Sequence, residues 1–211
     1  MKMISKIEEY LMELYPDAIC ELNYNKDYEL LIAVVLSAQT TDKRVNLVTR
    51  DMFVKYPDIY SLSKASIDDL IDIVRPLGTA SRKGVFVHQI SNILVEQYSG
   101  KVPNNRKALE NMPGVGRKTA NVVLSNLFNV PCIAVDTHVS RVSKRLSLAK
   151  ESDSVEEVEN KLKRKFKREN WSKLHHQLVL FGRYNCKAKN PQCEICGLND
   201  ICKFYKNNKN K

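Results

Sequence analysis

The chain lacks the sequence patterns that define several large classes of protein. No apolar run approaches the roughly 18 residues that a membrane-spanning helix needs, and no signal-peptide pattern is present. No segment alternates polar and apolar residues for long enough to predict a strand, and no internal repeat is visible. These absences argue against a membrane protein, an exported protein and a β-sheet fold.

Acidic residues are too few to balance the basic ones. The 211 residues include 34 Lys and Arg against 24 Asp and Glu, which gives a formal net charge of +10 and a pI near 9.3. This excess favours a polyanionic partner, and a nucleic acid more than a membrane. The hydrophobic content of 43% is enough for one large globular domain or two small ones.

Apolar spacing and capping residues predict a fold that is all-α. The predicted helices are Ile4–Tyr15, Tyr28–Ser37, Thr41–Tyr56, Ile67–Val74, Ser81–Tyr98, Arg106–Met112, Arg117–Phe128, Thr137–Leu146, Val155–Lys167 and Trp171–Tyr184. The predicted start signals are the capping boxes Ser66-x-x-Asp69 and Ser154-x-x-Glu157 and the N-caps Asp27 and Thr41. In the fifth helix, the predicted buried stripe is Phe86, Ile90, Ile93, Leu94 and Tyr98.

A glycine-rich turn leads into a helix at residues 112–122, which read Met-Pro-Gly-Val-Gly-Arg-Lys-Thr-Ala-Asn-Val. Gly114 and Gly116 permit positive φ and close backbone approach, so the amides at the start of the helix can face a phosphate. Lys118 points into the same space, where it can contact a phosphate or act as a nucleophile. Taken alone, the same pattern also fits an ordinary turn followed by a solvated lysine.

Asp136 is a second candidate for chemistry, eighteen residues after Lys118. The helix carries the chain about 14 Å from Lys118 to residue 127, while the nine steps back to Asp136 can span roughly 30 Å. The carboxylate can therefore return to the lysine. Asp136 is also predicted to cap a helix that buries Val139, Val142 and Leu146, and a capping aspartate keeps a second oxygen for other contacts.

Four cysteines near the end of the chain follow the spacing C-x6-C-x2-C-x5-C: Cys186, Cys193, Cys196 and Cys202. Without an export signal, cysteines point to metal or redox chemistry more than to disulfides. Four thiolates so close together suit either zinc or an iron–sulfur cluster, and ligand chemistry does not separate the two. Cys20 and Cys132 each stand alone among apolar residues and are predicted to be small buried side chains.

The glycine hairpin with Lys118, the segment 135–138 and the cysteine spacing together resemble the endonuclease III family of DNA glycosylases. The likeness covers nearly the whole chain and includes Leu-Ser-Ala-Gln-Thr-Thr-Asp at 36–42 and the segment 175–184. The resemblance implies a helix–hairpin–helix at about 106–127. It also implies that the cysteines hold a [4Fe–4S] cluster.

The resemblance further implies two helical domains with DNA in the cleft between them. The central domain would be 23–132, and the cluster domain would combine 1–22 with 133–211. The family's catalytic lysine falls on Lys118 and its catalytic aspartate on Asp136. Its DNA contacts fall on Gln39, Gly114, Val115, Gly116, Arg117, Thr119 and His138.

The expected activity is a DNA glycosylase and abasic-site lyase that acts on damaged pyrimidines, above all oxidised ones, in double-stranded DNA. Lys118 would attack C1′ of an extruded nucleotide, and the resulting Schiff base would allow β-elimination on the 3′ side. Burial in a cleft is expected to help keep the amine neutral. The expected enzyme is a monomer in the cytoplasm, associated with the nucleoid.

Two other functions stay open at this point. An adenine glycosylase of the same superfamily uses water as the nucleophile and would not carry Lys118. A catalytically silent DNA-binding module would use the hairpin to bind phosphate and the cysteines to hold zinc.

For His138, a local structural hydrogen bond is expected more than a role in orienting Asp136.

One loop departs from the family pattern. The family carries a bulky apolar residue and then an aromatic residue in the loop before the fifth predicted helix, whereas this chain has Gly78-Thr79-Ala80. In the family this loop inserts a wedge opposite the lesion, and Thr79 is too small and too polar for that role. The chain is therefore expected to depend more on Gln39, which helps to fill the gap left by the extruded nucleotide, and on pairing that the lesion has weakened. It is expected to favour base pairs that are already unstable. The alternative is that Leu77 or another loop supplies the wedge after a small backbone shift.

Overall fold

The computed structural model describes residues 2–209, and within that range the regular elements are all helical. The α-helices are α1 (Lys2–Leu14), α2 (Asp27–Leu36), α3 (Asp42–Lys55), α4 (Ile59–Ser63), α5 (Ile67–Val74), α6 (Ala80–Tyr98), α7 (Arg106–Glu110), α8 (Arg117–Phe128), α9 (Thr137–Arg145), α10 (Val155–Lys165), α11 (Trp171–Tyr184) and α12 (Lys203–Asn208). Two 3₁₀ turns lie at Arg75–Leu77 and Arg168–Asn170. No helix in this range is long and apolar enough to cross a membrane.

All ten helices predicted from the sequence are present, so the all-α prediction is confirmed. The sequence reading missed α4, which Asp58 caps by accepting a hydrogen bond from the Ser61 amide, and the short C-terminal α12. Both have six residues or fewer, which is less than two turns and too short for an apolar repeat to stand out.

The predicted caps are partly right. Thr41 caps α3, and Ser154 with Glu157 forms a complete capping box at α10. Two predictions were wrong in detail. Lys26 occupies the N-cap of α2, and Asp27 is its first helical residue. Ser66 caps α5, but the Asp69 carboxylate bonds to Lys55 and Tyr56 and does not complete a box.

The chain folds into two compact units, of which the first is Cys20–Phe128, named the central unit. Its middle is α2, in which every residue from Tyr28 to Leu36 is buried, and which packs on α3, α6 and α8. A helix that is apolar on all sides belongs inside a core, which explains its position.

The second unit combines Met1–Ile19 with Asn129–Lys211 and is named the cysteine unit. Helix α11 packs on both α1 and α9, so the two ends of the chain share one core. The apolar side chains of that core include Ile7, Leu11, Val139, Val142, Leu162, Leu178 and Phe181. The buried apolar residues of α9 are those predicted from its spacing.

Candidate active site and metal centre

The turn between α7 and α8 is held by tight contacts within the central unit. Gly114 has a φ of +74°, and a Cβ placed on it would lie 2.5 Å from Cδ2 of Phe86 and 3.1 Å from Cγ1 of Val35. The Val115 amide donates to the Met112 carbonyl at 3.1 Å, and both side chains are buried. Only glycine fits position 114, because both the φ angle and the available space exclude a side chain.

Gly116 agrees with only part of what was expected of it. It does not have a positive φ, and a Cβ placed on it would meet no atom within 4 Å. The glycine therefore leaves open space outside the backbone just before α8. This is the place where a phosphate could approach the amides of the first helical turn.

Lys118 is exposed on the first turn of α8, beside exposed Arg117. The expected burial of this lysine is therefore not seen in the protein by itself. The other two hairpin residues predicted to touch DNA, Val115 and Thr119, have buried side chains. They face the core, so a contact with DNA could use only their backbone atoms.

Asp136 caps α9 in the cysteine unit, as predicted. Its φ of −103° and ψ of −172° are extended, and Oδ1 accepts a hydrogen bond from the Val139 amide at 2.8 Å. The cap fixes the carboxylate by a backbone contact, while the half-buried side chain keeps its second oxygen at the helix end. Asp136 and Lys118 belong to different units of the chain.

His138 and Arg141 lie one turn apart or less on α9. The Arg141 guanidinium lies 3.2 Å from Nδ1 of His138 and donates to the carbonyls of Gly182 at 2.6 Å and Cys186 at 3.2 Å. Arg141 thus connects the helix that begins after Asp136 to the start of the cysteine loop. The sequence reading missed this residue, because its partners are backbone carbonyls more than forty positions away.

Helix α9 crosses α11 at Gly182. A Cβ placed on Gly182 would lie 2.8 Å from Cβ of His138, 3.2 Å from its Cα and 3.2 Å from Cγ2 of Val142. This glycine lets the two helices approach closely, and His138 faces this crossing and Arg141.

Gln39 and Thr79 sit on exposed turns of the central unit. Both have left-handed backbones, with φ of 57° at Gln39 and 47° at Thr79, next to Gly78 at 70°. Non-glycine residues adopt this region only at a cost, so the surrounding structure must hold them there. Leu77 is only 3% exposed, so it could act as the wedge only after the expected shift of the backbone.

The four clustered cysteines line one small cavity in the cysteine unit, together with Phe181, Leu146 and Phe204. All six cysteines of the chain are free, and Cys132 is buried as predicted while Cys20 is half-buried. Burial raises the pKa of the Cys193 and Cys196 thiols, so iron has to displace their protons on binding. No three His, Cys, Asp or Glu side chains among the described residues are grouped to hold one metal ion.

Two side chains, Arg145 and Tyr10, contact sulfur atoms of this cavity and could stabilise a negatively charged cluster. Arg145 donates to Sγ of Cys186 at 3.3 Å and to the carbonyls of Lys187 at 2.7 Å and Ala188 at 3.2 Å. The Tyr10 hydroxyl hydrogen-bonds to the thiol of Cys196. A buried cation and donors directed at sulfur are the outer contacts that iron–sulfur clusters use. The cavity and the hydrogen-bond donors around it therefore fit an iron–sulfur cluster.

Two family models match the chain. Residues 32–168 match the HhH-GPD superfamily base excision DNA repair protein model. Residues 186–202, which begin and end on cluster cysteines, match the iron–sulfur binding domain of endonuclease III. This second match settles the choice between zinc and iron–sulfur that the spacing left open.

Two individual proteins are similar to this chain over more than nine-tenths of its length. Endonuclease III of Bacillus subtilis is 44% identical over 96% of this chain and 93% of its own length. Endonuclease III of Escherichia coli is 41% identical over 92% of each.

Solved structures agree as well. A non-covalent endonuclease III–DNA complex superposes with a TM-score of 0.96 at 44% identity, covering 100% of this chain and 98% of that one. A trapped endonuclease III–DNA covalent intermediate superposes with a TM-score of 0.92 at 45% identity, covering 97% of each chain. With a family model over more than half of its length and similar relatives over nearly all of it, the chain belongs to the endonuclease III family of base-excision DNA repair enzymes.

Proposed function

We propose that Lys118 is the nucleophile, and Asp136 its proton acceptor, in the DNA glycosylase and abasic-site lyase reactions of this enzyme. The observation that carries the proposal is the exposed amine on the first turn of α8, directly after the open backbone at Gly116. Amides that can hold a phosphate bring the sugar of the bound strand close to this amine. Because the protein alone leaves Lys118 in water, bound DNA supplies its desolvation.

In the first stage, the damaged nucleotide leaves the base stack. The lone pair of Nζ on Lys118 forms a bond to C1′, while the bond from C1′ to the base breaks and its electron pair leaves with the base. Asp136 accepts a proton from the lysine nitrogen and stabilises the positive charge that develops on the sugar. Its cap bond to Val139 engages one oxygen, which leaves the other for this proton.

In the second stage, the nitrogen lone pair forms the C1′=N double bond of a protonated Schiff base as the C1′–O4′ bond breaks. Asp136 returns its proton to O4′, and the sugar ring opens. The Schiff base makes the C2′ proton acidic. Water accepts that proton, and the electron pair it leaves forms a C2′=C3′ double bond. The C3′–O bond breaks with its electron pair on the departing phosphate, so the strand is cut on the 3′ side of the abasic site. Water then hydrolyses the Schiff base and releases Lys118.

The proposed contacts with DNA divide into two kinds. The backbone of Gly114, Val115 and Gly116, with the first amides of α8, would hold phosphate, and Arg117 would add positive charge. The buried side chains of Val115 and Thr119 would support the hairpin from inside. Gln39 would enter the gap left by the extruded nucleotide, and His138 would act through its contact with Arg141.

The [4Fe–4S] cluster, held by Cys186, Cys193, Cys196 and Cys202, would supply structural binding energy to a loop with little core of its own. Arg145 would hold this loop through the carbonyls of residues 187 and 188 and the sulfur of Cys186.

The proposed substrates are oxidised pyrimidines and abasic sites in double-stranded DNA, and the proposed active species is a monomer associated with the nucleoid. The net charge of +10 supports binding to DNA. The proposed domains are 23–132 and 1–22 with 133–211. Mass determination in solution tests the monomer, and limited proteolysis tests the domain limits.

Borohydride trapping tests the proposed nucleophile. Wild-type protein, Lys118→Ala and Lys107→Ala are each mixed with DNA that carries an oxidised pyrimidine and then reduced. Lys107 is exposed on α7 and serves as a matched loss of one charge in the same hairpin. A covalent complex is expected with wild type and Lys107→Ala only. A trapped complex with Lys118→Ala would rule out this lysine as the nucleophile.

A further inference from the structure

Lys83 is a lysine inside the core of the central unit, with a side chain that is 3% exposed. The buried face of α6 includes Ile90 and Leu94 of the predicted stripe, and also Lys83 and Val87, which were not predicted. The other predicted residues, Phe86, Ile93 and Tyr98, are only half-buried. Burial lowers the pKa of the Lys83 ammonium, and no carboxylate between residues 2 and 209 forms an ion pair with it. A lysine in such a place is rare, because a buried charge without a counter-charge destabilises a fold.

Two oxygen atoms from separate turns accept hydrogen bonds from the Lys83 ammonium. Nζ donates to the Leu77 carbonyl at 2.9 Å and lies 3.2 Å from Oγ1 of Thr40. The Thr40 hydroxyl itself donates to the same Leu77 carbonyl at 2.6 Å. The three groups therefore form a closed triangle of hydrogen bonds that joins position 40 to position 77 under the protein surface.

Two corners of this triangle, Thr40 and Leu77, each border one of the strained, exposed turns. Thr40 directly follows Gln39, and Leu77 directly precedes Gly78 and Thr79. All three of these neighbours have positive φ. Backbone strain of this kind persists only where other contacts fix it.

We propose that Lys83 is a positioning residue that holds the Gln39 turn and the Gly78–Thr79 turn at a fixed separation, so that both turns enter the DNA helix together during extrusion of the damaged base. This inference rests on the proposed function, in which Gln39 enters the gap left by the extruded nucleotide, and on the resemblance that places the Gly78–Thr79 turn at the family's wedge loop. A small residue at the tip, such as Thr79, makes the position of the turn more important, since it has little apolar area with which to compensate for a displacement.

The chemistry of the side chain supports a role beyond core filling. Methionine is similar in length and would fill the same volume without a buried charge. Only a donor with several hydrogens can bind both oxygens at once, and the lysine ammonium has three. The hydrogen bonds by which Lys83 joins the two turns therefore explain why a charged side chain is buried at this position.

The test compares wild type, Lys83→Met, Thr40→Val and Lys101→Met. Thr40→Val removes one corner of the triangle with little change in shape. Lys101→Met removes a single exposed charge just beyond the end of α6 and controls for net charge. Single-turnover rates are measured for an oxidised pyrimidine in a stable pair, for the same lesion in a mismatch and for a preformed abasic site, which has no base to extrude. Melting temperatures are measured in parallel.

Lys83→Met is expected to lower excision from the stable pair about tenfold relative to the mismatch. Cleavage of the abasic site and the melting temperature should be maintained, and Thr40→Val should shift the excision ratio in the same direction. Equal losses on all three substrates, or an unchanged ratio in Lys83→Met and Thr40→Val, would overturn the inference. If Lys83→Met does not fold, Thr40→Val alone decides. Absence of excision by the wild type would instead refute the proposed function.

Discussion

Substitution of Gly182 by alanine tests whether the crossing of α9 and α11 positions Asp136. The new Cβ would lie 2.8 Å from Cβ of His138, whereas ordinary contact begins at 3.4 Å. One helix therefore has to move by about 0.6 Å, because the opposing atoms are Cβ and Cα of His138 and cannot rotate away. Asp136 is two residues before His138 on the displaced segment.

The expected stability change is the difference of two effects. Alanine is favoured over glycine inside a helix by about 1 kcal/mol, whereas a clash in a close-packed core costs about 1–3 kcal/mol. Because the contact involves rigid atoms, we expect the upper half of that range and a net loss of about 1–2 kcal/mol. For a chain of this size the melting temperature should fall by roughly 2–8 °C.

The excision rate of Gly182→Ala should fall even where the variant is fully folded, so its loss of activity should exceed what its lower stability alone would cause. A displacement of about 1 Å at a catalytic group can lower a rate about a hundredfold, so we expect excision to slow about tenfold. Single-turnover excision at a temperature where the variant is fully folded measures this effect. Gly116→Ala is the stability control, since its Cβ meets no atom within 4 Å and its melting temperature should hardly change. Wild-type excision and stability in Gly182→Ala would refute the reasoning.

Three further predictions concern the carboxylate, the cluster and pH. Asp136→Asn keeps an oxygen for the Val139 amide, so it should fold normally and lose about a hundredfold or more in excision rate; a wild-type rate would leave Asp136 as a cap only. Cys196→Ser should lose bound iron and melt at a lower temperature, whereas Cys132→Ser, outside the cluster, should keep its iron; iron analysis of both variants decides. Burial lowers the pKa of His176 to about 4, so the unfolded chain binds a proton below about pH 6.5 that the folded chain does not. Between about pH 6.5 and pH 5, the free energy of unfolding of the wild type should therefore fall by about 2 kcal/mol relative to that of His176→Gln. Urea denaturation at each pH measures both values, and the same pH dependence in the two proteins would contradict this assignment.

The sequence by itself determined the features that depend on neighbours along the chain. Helix starts at Thr41, Ser154 and Asp136 follow from side chains that bond to amides three residues ahead. The cysteine spacing likewise predicted a single metal-binding loop, and all four of those side chains line one cavity. Such interactions span few residues, so residue type and spacing specify them.

Only the tertiary structure decided the features whose partners are distant in sequence. Asp69 was expected to complete a cap, but Lys55 and Tyr56 from another part of the chain bind its carboxylate. The residues around Lys83 in the sequence do not mark it as buried, but the turn at Thr40 and the carbonyl of Leu77 bring acceptors to it inside the core. Gly182 gave no sign of a helix crossing. In each case the sequence shows which chemical group is present. Its interaction energy depends on which atoms the fold brings within a few ångströms of that group.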